Sequence, residues 1–260
     1  MPLLRLPHAE IHNTDSTHYT HPHTLTLIDP ARRDTHGRKT VALEDCTPNI
    51  IHIQEQLRSI SPHTIIKLSP MLDISQALSQ LSHITQIHVI SVKGECKELL
   101  LVMSTHPTPT TQIFCANLHT DQPTYTAPYP THTTPTITST PSQYLYEPNA
   151  SILKAGIQDT LCHTQHTDKL HPHSNLFTSP TPCPQFPGRR FRILQVHDFS
   201  KQSIKQLQSD ITQANLAIRN FPGTVDALRK RLKIKEGGDK YIFATTLSQG
   251  QHVLIVCEKS

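Results

Sequence analysis

The sequence predicts an α/β half-sheet followed by a small α+β module. Residues 25–104 alternate strand, helix, strand, helix and then give two consecutive strands, the order of the second half of a doubly wound sheet. The eight glycines make no G-x-G cluster, and the first of them, Gly37, follows the first identifiable strand, so the glycine-rich first half of such a sheet is missing. Residues 190–257 read β-α-β-α-β-β, a separate sandwich of about 70 residues.

The elements follow from local pattern. Leu25, Thr26, Leu27 and Ile28 form a short apolar run that stops at Asp29-Pro30, as a buried parallel strand does. Residues 48–59 place Ile50, Ile51, Ile53 and Leu57 at helical spacing. Residues 64–68 are a second strand, and residues 73–81 a second helix with Ile74, Ala77, Leu78 and Leu81 on one face. Residues 84–92 and 98–104 are strands joined by a polar turn containing Gly94, which suits an antiparallel hairpin. Residues 113–118 complete a strand, whereas residues 119–142, rich in Pro and Thr, read as a linker. A helix starts at Asn149-Ala150-Ser151, and residues 163–184 are loop-like. In the last module, strands are expected at 190–196, 211–219, 241–246 and 252–257. Helices are expected at 200–209, capped by Ser200, and at 224–232. The expected division is 1–118, 119–142, 143–188 and 189–260.

Composition narrows the function. Net charge is only +4, but it is unevenly spread: residues 186–260 hold 13 Lys+Arg against 6 Asp+Glu, and the remainder 11 against 14. A polyanionic partner would sit on the C-terminal quarter, although a solvated basic surface explains the same count. Six cysteines form no Cys-x-x-Cys pair, and no apolar run reaches the ~20 residues of a membrane span. A reduced, cytoplasmic chain without a membrane segment is expected. The 19 histidines, including His21-Pro22-His23 and His171-Pro172-His173, lie in Pro/Thr-rich stretches rather than on ordered elements, so no metal site is expected.

Candidate chemistry sits at strand ends. Asp29-Pro30-Ala31-Arg32-Arg33 leaves the first strand where open α/β sheets bind ligands. A carboxylate there suits a substrate amine or a cofactor edge, and the arginines suit a phosphate; the alternative is an Asp capping the next turn. Lys67-Leu68-Ser69-Pro70 ends the next strand on the same rim, and Lys67 and Asp73 are equally read as an ion-pair member and a helix cap. Arg229, Lys230, Arg231, Lys233 and Lys235 share one helix and its exit, and Arg189, Arg190 and Arg192 open the module's first strand. Such patches bind phosphates; cations at a helix C-terminus also simply offset its dipole.

Several of these segments together resemble a bacterial class I S-adenosylmethionine-dependent methyltransferase family with a ferredoxin-like segment and a C-terminal THUMP-like domain. They are Ile28-Asp29-Pro30-Ala31-Arg32-Arg33, Leu43-Glu44-Asp45-Cys46-Thr47-Pro48, Lys67-Leu68-Ser69-Pro70-Met71-Leu72-Asp73-Ile74 and Glu95-Cys96-Lys97-Glu98-Leu99 for the methyltransferase part. Tyr146-Glu147-Pro148-Asn149-Ala150-Ser151-Ile152-Leu153-Lys154-Ala155-Gly156 resembles the ferredoxin-like segment. Arg219-Asn220-Phe221-Pro222, residues 228–234 and residues 237–246 resemble the THUMP-like domain. The resemblance implies a Rossmann-like methyltransferase sheet cut to its C-terminal half. It implies S-adenosylmethionine as cofactor of the complete enzyme and RNA as partner. Asp29, Pro30, Ala31 and Arg32 match the family's Asp/Asn-Pro-Pro position, with Ala31 in place of the second proline and no aromatic following. Arg33, Lys67, Ser69, Pro70, Arg229, Lys230, Arg231 and Lys233 are the expected substrate contacts. The chain is expected to be N-terminally truncated, without its own cofactor loop. A non-catalytic RNA-binding fragment is the alternative.

Overall fold

The computed structural model describes residues 10–31, 42–106 and 108–260. It is a mixed α/β structure with two mixed sheets, and it divides into two compact units: residues 1–85 with 100–109, and residues 86–99 with 110–260.

The first unit opens with β1 (Thr26–Ile28), followed by α1 (Ile50–Ile60), β2 (His63–Leu68) and α2 (Ile74–Gln80). β1 and β2 are parallel, with Thr26 opposite Thr64 and Ile28 opposite Ile66. β2 alternates as a half-covered strand should: Thr64, Ile66 and Leu68 are buried, and Ile65 and Lys67 half-buried. α1 starts because Asn49 accepts the Ile51 and His52 amides, and it buries Ile50, Leu57 and Ile60. Asp73 caps α2 by accepting the Gln76 amide at 2.8 Å. β3 (Ile84–Val92) and β4 (Glu95–Ser104) each straddle the division. In the first unit the C-terminal half of β4 lies beside β2.

In the second unit β3 lies beside β4 and pairs in parallel with β5 (Thr111–Leu118), which pairs antiparallel with β6 (Tyr125–Tyr129). The β3–β4 turn is two residues long. Lys93 and Gly94 both take positive φ, 50° and 85°, as a tight hairpin turn requires. β4 therefore begins at Glu95, so Glu95, Cys96, Lys97 and Glu98 lie in the strand rather than between strands. The stretch expected as a linker contains β6, and the stretch expected as loop contains β8 (Asp168–Lys169) and β9 (Phe177–Ser179). Between them come β7 (Tyr144–Pro148), α3 (Ala150–Ala155) and α4 (Leu161–Thr164).

The rest of the chain follows the expected order: β10 (Gly188–Asp198), α5 (Lys201–Asp210), β11 (Asn215–Arg219), α6 (Val225–Leu232), β12 (Lys240–Thr246) and β13 (His252–Lys259). β11 starts at Asn215 rather than at residue 211: Ile211 caps α5, and Gln213 makes an isolated bridge with Lys235 before the strand begins. These strands make a seven-stranded sheet in the order β11-β12-β13-β10-β7-β9-β8. Ile204, Leu207, Leu228 and Leu232 of α5 and α6 pack on Ile242, Ala244, Leu254 and Val256. The alternate residues Phe191, Phe243, Val253, Ile255 and Cys257 form a second cluster with Leu145, Leu170 and Leu176. The sheet thus carries apolar side chains on both faces.

The six cysteines are all thiols. Burial pushes the Cys115 thiol up to about 12 and raises that of Cys257 in the same direction. Since the thiolate is the reactive form, iodoacetamide at pH 8 is expected to leave both unlabelled until denaturant is added. Mass spectrometry checks this, and rapid labelling of either in the native chain would refute the packing just described.

Candidate functional site

The parallel register carries β1 and β2 to the same rim. One residue past the Ile28–Ile66 pair, Asp29 and Lys67 meet: the Lys67 ammonium donates to Asp29 Oδ2 at 2.8 Å. The two side chains are 53% and 31% exposed, so the pair adds at most ~1 kcal/mol to stability. It fixes the carboxylate's direction more than it holds the fold. An incoming N–H donor can therefore share or take Lys67's place at little cost.

Pro30 is buried and Ala31 is pinned: its amide donates to Thr47 O at 2.7 Å, and Thr47 N donates back at 3.0 Å. The Asp-Pro-Ala backbone is thus held at both ends, by β1 and by this bridge. Arg32 and Arg33 lie outside the described residues. Ser69 and Pro70, half-buried, follow β2 in a turn: Ser69 Oγ accepts from Met71 N at 3.2 Å and Ser69 O from Leu72 N at 3.1 Å. Ser69 therefore shapes the loop into α2.

Asp29 borders a cleft of about 520 Å³ that runs along β1 and α1. Its walls include Leu27, Ile28, Ile53 and Leu57, and Tyr19 and His23 line it as well. Tyr19 is a residue the sequence reading missed. It lies on a short 3-10 turn that Gln56 of α1 holds by donating to Thr17 O and Tyr19 O. Its ring stands edge-on to His21 and His23, at 5.4 and 5.7 Å. Only the aromatic itself, placed ten residues before Asp29, could have signalled it.

Every described glycine lies at Gly94 or beyond, none at a strand-to-helix turn of the first unit. Nor, among the described residues, do three or more His, Cys, Asp or Glu side chains converge as a metal site would. No helix among them is long and apolar enough to cross a membrane.

In the second unit, α6 is capped by Thr224, whose hydroxyl accepts from Ala227 N at 3.2 Å, and ends at Lys233 in the left-handed region. Its cations differ in duty. Arg229 is mostly buried and reaches Glu236 at 3.6 Å; the Arg231 guanidinium lies 4.3 Å over Phe199. Both are partly structural. Lys230 and Lys233 are exposed, among the described residues without a carboxylate, and remain available to a polyanion.

Comparison with known proteins adds the following. A family model described as THUMP domain-like matches residues 188–259, and one described as a ferredoxin-like domain matches residues 144–187. No curated protein matches the chain. The fold is similar to the crystal structure of a "putative methyltransferase" from Porphyromonas gingivalis W83, with a TM-score of 0.81 and 33% identity. That match covers 91% of this chain, which spans 59% of the P. gingivalis protein.

Proposed function

We propose that this chain has a methyltransferase-like role in which it supplies the substrate-positioning rim and an RNA-contacting module. The observation that carries this is the Asp29–Lys67 pair at the ends of two parallel strands, on the border of a cleft, in a fold similar to a methyltransferase-assigned structure. A carboxylate held this way accepts a hydrogen bond from a substrate amine and orients its lone pair outward. Tyr19 offers a ring against which a base can lie. Lys230 and Lys233, with Arg229 and Arg231 behind them, would hold phosphates with little sequence preference. Our reading of the first unit is the trailing half of a Rossmann-like sheet, and of the last residues a THUMP-like domain. In this reading the methyl donor is S-adenosylmethionine, as the likeness to a "putative methyltransferase" suggests.

Two measurements test this. By calorimetry, the purified chain is expected to show no micromolar binding of S-adenosylmethionine; such binding would refute the reading of the first unit as the trailing half of the sheet. Mass spectrometry of nucleosides from a deletion strain should show the loss of a methylated species that the wild-type gene restores and Asp29→Asn does not. An unchanged set of methylated nucleosides would overturn the catalytic role and favour a non-catalytic RNA-binding chain.

A further inference from the structure

We infer that the free edge of β11 pairs with the same edge of a second copy of this chain, antiparallel and centred on Ala217. β11 ends the seven-stranded sheet: β12 lies along one side, and among the described residues no strand lies along the other. A bare edge of this kind is a template for another strand.

The other edges among the described residues are blunted, each by its own device. β1 is three residues long and β6 carries Pro128. β8 is two residues long, and Ile137 bridges alongside it. β10 runs on past its last pair with β7, but a bulge between Ile193 and Gln195 breaks that overhang, and it ends on His197 and Asp198. β11 has none of these. It is five residues, Asn-Leu-Ala-Ile-Arg, with no proline, no bulge and no charge before the last.

The neighbouring ladder fixes which backbone groups face outward. Leu247 N donates to Gln251 O at 2.9 Å, so Tyr241, Phe243 and Thr245 turn their N–H and C=O to β13, and Ile242 and Ala244 turn theirs to β11. In the parallel pairing of Leu216 with Ile242, this engages the groups of Asn215, Ala217 and Arg219 and leaves those of Leu216 and Ile218 pointing away from the sheet. In keeping with that direction, Ile218 O accepts from Arg219 Nη1 at 2.7 Å.

The strand matches itself about Ala217, which is what selects a second copy over an unrelated strand. A two-fold axis there lets Leu216 of one copy and Ile218 of the other exchange N–H···O bonds in both directions. Ala217 then faces itself in the closer, non-hydrogen-bonded kind of pair, where a methyl fits. Leu216 and Ile218 pack on the apolar cluster under α5 and α6, and the pairing continues that layer across the axis. Asn215 stands opposite Arg219 of the second copy. Its Nδ2 donates to Gly238 O and Lys240 O, which leaves Oδ1 to accept; Arg219 gives Nε to Glu147 and Nη1 to Ile218 O, which leaves Nη2 to donate. No like charges oppose each other. The contact does not involve the Asp29 rim, so it stands or falls apart from the proposed function.

Sedimentation equilibrium of the full chain tests this from about 5 to about 500 µM, a range that brackets the ~100 µM dissociation constant expected of so small an interface. Ala217→Glu and Ala217→Lys each set two like charges face to face and are expected to weaken association about tenfold, whereas an equimolar mixture of the two should return to within about threefold of wild type. A wild-type chain that stays monomeric over this range would overturn the pairing. So would variants that associate as wild type does, or a mixture no tighter than either variant alone. If circular dichroism shows that a variant is unfolded, hydrogen exchange of the wild type decides: protection of residues 215–219 that rises with concentration supports the edge, and unchanged protection overturns it.

Discussion

Gly188→Ala is expected to destabilise the chain by about 3 kcal/mol, the upper end of ordinary overpacking. A β-carbon there would stand 2.1 Å from the Glu147 carbonyl oxygen and 2.8 Å from the Pro148 α-carbon. Both are backbone atoms of β7, so no rotamer change relieves the clash; the strand must move. Gly188 pairs with Pro148 in the register of β10 on β7, and the next pair is Arg189 with Glu147. Displacing β7 therefore also loosens the carboxylate that holds Arg189 and Arg219. Gly250→Ala is the control. Its φ of 84° is unfavourable for a side chain, but nothing lies within 4 Å, so it should cost only about 1 kcal/mol. Urea unfolding measures both. Equal losses would show that the close strand approach does not matter, and the description of the β10–β7 pairing would fail with it.

Asp159→Ala should cost a similar amount, about 3 kcal/mol, for an electrostatic reason. Lys169 is 3% exposed and its ammonium lies 2.6 Å from Asp159 Oδ1. Its backbone is fixed in place: its amide donates to Thr136 O at 2.8 Å and its carbonyl accepts from Thr138 N at 2.9 Å. Removing the carboxylate leaves a buried ammonium without its ion-pair partner; the Phe177 ring lies 5.9 Å away. Asp159 itself is 32% exposed, which lets some water in and keeps the loss near the lower end of the range for such pairs. The double variant Asp159→Ala, Lys169→Met removes the stranded charge and should recover most of the stability. A double variant as unstable as the single one would mean that packing, not charge, dominates at this position.

These two positions also show where sequence reasoning stops. Neither was legible as a contact: Gly188 meets β7 through a backbone approach, and Asp159 meets Lys169 only once the intervening turn and α4 bring them together. The same holds for Glu147, which meets Arg189 and Arg219 across 42 and 72 residues. Strand β6 was hidden by composition. Pro128 argues against a strand, yet β6 is at the sheet edge, where a missing amide is tolerated. β8 and β9 were hidden by brevity, at two and three residues.

What the sequence determined alone was the local grammar. Apolar periodicity placed α1 and α2, Asp73 and Ser200 capped as their side-chain chemistry dictates, and Asp29 fell at a strand end. Those features depend on neighbours a few residues away. Only the tertiary structure decided that Lys67 answers Asp29, that Tyr19 faces the same cleft, and that Arg189 and Arg219 meet on Glu147. Such meetings depend on which strands lie side by side and in what register, and hydrophobic pattern alone does not encode register between distant segments.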